Sequence, residues 1–188
     1  MPNIKEKYNP KTNDDLKELH DVVDKDNKIV GVASRIHFLK NKRLIRRSCH
    51  VWLKNSTGKY WLQLRSKKKD LQPLHWNCAA SGFVSAHKRT KKEILQEAKR
   101  ELREELGIQT NIKLIKIFLN RGKQTGGIMV YLFLGFHDGP FKVNPTEVVR
   151  VKAFNLEKVT QLYKKNKMQI TEPTVKELKI LSSIFNHD

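Results

Sequence analysis

Residues 100–108 read Arg100-Glu101-Leu102-Arg103-Glu104-Glu105-Leu106-Gly107-Ile108. Leu102 and Leu106, with Ala98 and Ile94 or Leu95 before them, recur at three- and four-residue spacing, the period of one buried helix face. Upstream, Thr90-Lys91-Lys92-Glu93 supplies an N-cap with a glutamate at N3, a capping box, and Gly107 supplies the stop. The spacing predicts a helix between Thr90 and Gly107. On that helix Glu101, Glu104 and Glu105 stand at i, i+3 and i+4, so three carboxylates project from the edge of the apolar stripe. Carboxylates gathered this way repel one another unless a cation neutralises them. Arg100 can pair with Glu104 at i+4 but does not answer all three charges. Oxygen-only donors suit a hard divalent ion, Mg²⁺ or Mn²⁺, which keeps waters and bridges to phosphate oxygens. The bland alternative for this spacing alone is a solvated, charged helix face.

On either side of the helix the hydrophobic period is that of strands. Val22-Val23 and Ile29 to Ala33 flank an Asp/Asn cluster and form a hairpin. Leu44 to Leu53 and Tyr60 to Leu64 flank Asn55-Ser56-Thr57-Gly58, giving another. In the second arm Tyr60, Leu62 and Leu64 share one face, and Trp61, Gln63 and Arg65 the other. Trp76 to Val84 is a run of small residues broken by Gly82. After the helix come strands near 112–119, 128–136 and 148–154, then helical patterns near 156–164 and 174–185. This order predicts an α/β fold, a mixed sheet covered by helices.

The chain has 188 residues, a length that fits a single domain over 1–188, with 1–18 a loose polar lead-in. There are 38 Lys plus Arg against 19 Asp plus Glu, so the net charge is +19 and polyanionic partners are favoured. The longest apolar run, Ile128 to Phe136, is too short to span a bilayer, and the polar opening residues give no expectation of a secretory leader. A cytoplasmic protein without a membrane partner is the expectation. Cys49 and Cys78 cannot make a disulfide framework, and no Cys-x-x-Cys pair exists.

The stretch from Arg100 to Ile108 resembles the second half of the Nudix box, Arg-Glu-apolar-x-Glu-Glu-x-Gly-apolar. Random chains would match it roughly once in 10⁴ to 10⁵, and this chain's Arg and Glu content raises that about tenfold. Trp76 with Ser81-Gly82-Phe83-Val84 looks like the family's strand into the box, and Leu64-Arg65-Ser66 like its upstream strand end. The resemblance runs from about Asp21 to about Tyr163 and implies a Nudix-type α/β/α sandwich. It also implies a Mg²⁺- or Mn²⁺-dependent hydrolase that cleaves a diphosphate linkage in a nucleoside diphosphate derivative or related small molecule. Carried over, Glu101, Glu104 and Glu105 match the metal-binding glutamates, with Glu101 or Glu104 taking the proton of the attacking water. Arg100 matches the arginine that orients them. Arg65, Lys69 and Gly82 fall where substrate would be held, and Glu147 resembles a second acidic position that some members use as base.

The first half of the box departs from the pattern. Lys92 occupies the expected glutamate and Ala86 the expected glycine. If Gly82 is that glycine, the interval to Arg100 is 18 residues in place of 14. Two other readings follow: a basic Nudix-fold protein that binds RNA or another polyanion, and a catalytically weak pseudoenzyme. Leu44-Ile45-Arg46-Arg47, Trp52 and Trp76-Asn77 also resemble isopentenyl-diphosphate isomerase. That enzyme needs a cysteine before the loop glycine and a histidine after it, whereas Ser81 and Phe83 flank Gly82 and Arg46 stands where a histidine would.

Overall fold

The computed structural model describes residue 9 and residues 11–185. The first part of the chain forms β1 (Leu19–Val23), β2 (Ile29–Ser34), α1 (Arg35–Lys40), β3 (Ile45–Lys54) and β4 (Tyr60–Arg65). Then come β5 (Trp76–Asn77), β6 (Ala80–Phe83) and α2 (Lys91–Leu106). The remainder forms β7 (Ile112–Gly122), β8 (Gly126–Phe136), β9 (Val148–Phe154), α3 (Leu156–Lys164) and α4 (Glu172–Phe185).

β3 organises the sheet. Along one edge it runs parallel to β8, from Ile45 opposite Gly127 to Lys54 opposite Phe136. Its other edge is shared end to end by three antiparallel strands: β1 at Ile45 and Arg46, β6 at Ser48–Val51, and β4 at Leu53 and Lys54. β7 extends the sheet beyond β8, and β9 lies beside β4. The sheet is mixed, as the order of elements predicted.

Both faces of β3 and β8 are covered, which explains their unbroken burial. Cys49, Val51 and Leu53 face α2 together with Met129, Tyr131 and Phe133, meeting Ile94, Ala98, Leu102 and Leu106. The alternate residues, Trp52 of β3 with Ile128, Val130, Leu132 and Leu134 of β8, pack under Val159 of α3 and Leu178 and Leu181 of α4. Each fully buried leucine contributes about 2 kcal/mol. The result is an α/β/α sandwich. No helix among the described residues is long and apolar enough to cross a membrane.

Elements differ from the sequence expectation at three places. Strands β7 and β8 close into a tighter hairpin than expected, reaching Gly122 and starting at Gly126. Helix α4 begins at Glu172, whose carboxylate accepts from the backbone of Lys123 and Thr125 and so fixes the hairpin tip to the helix start. α1 was not foreseen, because six residues are too few to show a helical period; Arg35, Phe38 and Leu39 are its buried positions. The polar segment 11–18 carries no helix or strand, yet Asp14 is tied to Arg35, Lys69 and the Asp70 amide.

Candidate active site

α2 is framed as its sequence dictates. Thr90 Oγ1 accepts from Glu93 N at 3.2 Å, Glu93 Oε2 accepts from Thr90 N at 2.8 Å, and Gly107 ends the helix in the left-handed region at φ 67°. This frame sets α2 against β6, so that the flank carrying the glutamates meets Ser81 and Gly82.

Glu105 is fully enclosed: its Oε2 accepts from Gln63 Nε2 at 2.8 Å and from the Ser81 amide at 2.9 Å. Glu101 lies against Gly82 so closely that a Cβ there would overlap its carboxylate. Glu104 is the outer member, with its side chain 53% exposed. Arg100 ties the row together, donating to Glu101 at 2.6 Å, Glu104 at 2.5 Å and Glu97 at 3.2 Å. Sequence spacing gave Arg100 a pairing with Glu104 alone; the guanidinium reaches three carboxylates.

Burial raises the carboxyl of Glu101 well above its ordinary range; Arg100 opposes the shift and Glu104 adds to it. Burial raises Glu105 likewise, with the charge of Glu101 adding to the effect. Two enclosed carboxylates side by side are a poor arrangement in isolation and a good one around a cation. Their oxygen-only donor set fits Mg²⁺ or Mn²⁺.

These glutamates form one wall of a cleft of about 370 Å³. Arg65, Lys69, Gly82, Arg100 and Glu147, all singled out from sequence, line the same cleft. Lys69 Nζ is bound by Asp14 and by Glu147 Oε2 at 2.7 Å, so its charge is already shared. Arg65 donates from Nε and Nη2 to the Leu71 carbonyl, which bends the 66–72 loop around its side chain. The Gly82 carbonyl accepts from Ser48 Oγ at 2.8 Å. Lys92, by contrast, is exposed at the start of α2.

Glu97 was missed. It is 8% exposed, one turn before Glu101, and accepts from Arg100 and from Ser85 Oγ. Its i−4 spacing from Glu101 is the signal in the sequence, and it places the extra acid on the helix, away from the loop ahead of Lys92. The alternation places Gln63 on one strand face, and the resemblance covers Ser81. Their grip on Glu105 is not readable from sequence, because it comes from pairing between distant elements.

The profile of the NUDIX domain matches residues 44–176. Among curated relatives, the uncharacterized Nudix hydrolase YfcD of Salmonella typhi is 33% identical over 88 residues, a match covering 47% of this chain and 45% of the relative. Isopentenyl-diphosphate Delta-isomerase 2 of Aromatoleum aromaticum is 27% identical over 143 residues, covering 74% and 73%. At the positions where the isomerase resemblance calls for histidines, the guanidinium of Arg46 lies 3.3 Å over the Phe83 ring. The crystal structure of DR0079 from Deinococcus radiodurans superposes with a TM-score of 0.71 at 20% identity, covering 86% of this chain and 98% of that one. With 71% of the chain inside the matched segment, counted from residues 44–176 of 188, the protein belongs to the Nudix family.

Proposed function

We propose that the protein is a Mg²⁺- or Mn²⁺-dependent hydrolase that cleaves a diphosphate linkage in a nucleoside diphosphate derivative or a related compound. The observation that carries this reading is the meeting of Glu101 and Glu105, both enclosed, with Glu104 on one wall of a cleft that basic residues also line. When bound, the divalent ion neutralises the diphosphate and acidifies a water for attack.

The chain's own residues supply the rest. Glu101 and Glu105 offer oxygens fixed by Gly82, Ser81 and Gln63, so little side-chain entropy remains to be lost on binding. Glu101 or Glu104 accepts the water's proton, and Arg100 holds both in position. Arg65 and Lys69 orient the phosphates, and Glu147 adds a carboxylate at the far end of the Lys69 ion pair.

The test is phosphate release with Mg²⁺ or Mn²⁺, against an EDTA control. It is run over nucleoside triphosphates, nucleotide sugars, dinucleotides and, because of the +19 charge, capped RNA. Glu104→Gln is expected to abolish turnover while leaving the melting temperature in place, since Glu104 is half-exposed. Near-normal turnover in that variant would overturn the assignment.

A further inference from the structure

On the other face of the sheet from the α2 glutamates, three potential ligands converge: His50 of β3, Cys78 between β5 and β6, and Glu177 of α4. All three are buried, and one donor atom from each lies within 4.8 Å of the other two. His50 Nδ1 and Glu177 Oε1 form a buried ion pair at 2.6 Å, and neither atom makes a hydrogen bond to any other group. An ion pair at 5% and 0% exposure is costly to bury unless a further group shares its charge.

We propose that His50 Nδ1, Cys78 Sγ and Glu177 Oε1 form a metal site for Zn²⁺, distinct from the oxygen site on α2. One nitrogen, one sulfur and one oxygen donor suit zinc and not magnesium. Charge also favours it, because Zn²⁺ with one thiolate and one carboxylate is neutral, as a buried site requires.

The surroundings orient the donors as ligands need. Trp52 Nε1 donates to the other carboxylate oxygen, Glu177 Oε2, at 2.8 Å and so turns Oε1 toward His50. Burial, with the charge of Glu177 adding, pushes the Cys78 thiol well above its ordinary range, and the Val51 amide directed at the sulfur opposes this only in part. The sulfur therefore stays protonated until a metal takes the proton's place. In the metal-free arrangement the Cys78 thiol donates to the Ala80 carbonyl at 3.3 Å, and that proton leaves when a metal binds. Ligand distances of about 2.0–2.3 Å around zinc place donor atoms roughly 3.3–3.7 Å apart, so His50 and Glu177 need to part by about an ångström. His50 also lines the cleft, which gives water and metal a way in. A metal here fastens α4 to β3 and fixes the wall of the cleft formed by Thr171 and Pro173.

The experiment is metal analysis of the purified full-length protein, followed by chelator extraction and reconstitution with Zn²⁺ or Co²⁺. One zinc per chain is expected, together with a near-ultraviolet thiolate-to-cobalt absorption band. Cys78→Ser should abolish that band, and Glu101→Gln should keep it, which separates this site from the proposed hydrolytic one. His50→Gln is expected to weaken zinc binding at least tenfold and stands in if Cys78→Ser does not fold. A folded wild-type chain that takes up no zinc and shows no thiolate band overturns the proposal, as does a band that survives Cys78→Ser.

Discussion

The Cα of Gly82 and the carboxylate of Glu101 are in such close approach that any β-carbon at position 82 would overlap Glu101 Oε1. Glycine is needed here for that space and not for backbone freedom, because position 82 is an ordinary β6 strand residue paired with Cys49. The packing of α2 on β6 therefore sets where Glu101 points.

Gly82→Ala should separate site geometry from stability. The overlapping atoms are the end of a side chain, which can rotate away, so the fold should lose no more than about 1 kcal/mol. The displaced carboxylate leaves the row held by Arg100, and Mg²⁺-dependent phosphate release should fall at least tenfold. Paired denaturation curves and turnover measurements check this; an alanine variant with normal turnover would show that Glu101 need not sit against β6.

What the sequence made legible was local. Thr90, Glu93 and Gly107 announced the ends of α2 through interactions spanning a few residues, and the structure realises each of them. The alternation through Tyr60 to Arg65 sorted Leu62 to the α4 face and Gln63 to the α2 face. What stayed hidden depends on contacts between distant segments. The amide of Ser81 reaches Glu105 only because β6 pairs with β3 under α2, and Asp14 reaches Lys69 and Arg35 only because the chain before β1 folds back along the 66–70 loop. The four-residue excess ahead of Arg100 goes where the Thr90 capping box predicts, into the 84–90 loop and a helix that starts early, at Lys91. Glu97, the additional acid beside Arg100, is what the box pattern does not announce.

His20 should make the fold sensitive to acid. It is fully buried and donates from Nδ1 to the Val84 carbonyl at 3.1 Å. Burial depresses its pKa to about 3, and the charge of Arg46 adds to the effect. The unfolded chain therefore takes up a proton near pH 6.5 that the folded chain refuses until about pH 3. Stability contributed by the neutral ring is complete above pH 6.5 and is lost as pH falls through that window, by up to about 1.4 kcal/mol per unit. Glu18 faces the other ring nitrogen at 3.5 Å and opposes this, since burial raises its carboxyl. Denaturant titrations from pH 7 to pH 4 should show a shallower loss in His20→Gln than in wild type; parallel curves would mean that the ring is charged in the fold.

Arg46 should be worth more to the protein as an apolar residue. It is 1% exposed, and none of its three guanidinium nitrogens has a hydrogen-bond partner. Burial lowers its pKa to about 9, with Arg35 adding and Asp70 opposing. Its compensation is stacking, 3.3 Å over Phe83 and 5.1 Å over Phe38, and a desolvated cation–π contact is worth about 2 kcal/mol. The cost of burying an unpaired charge is several kcal/mol, so stacking offsets only part of it. Arg46→Met keeps the length and the ring contacts without the charge, and should raise unfolding stability by about 1–2 kcal/mol. The same substitution removes a repulsive neighbour from Arg35 and His20, so the acid sensitivity set by His20 should weaken in step. A destabilised methionine variant would mean that the guanidinium donates to an ordered partner beneath Phe83, and that the charge is held there for binding.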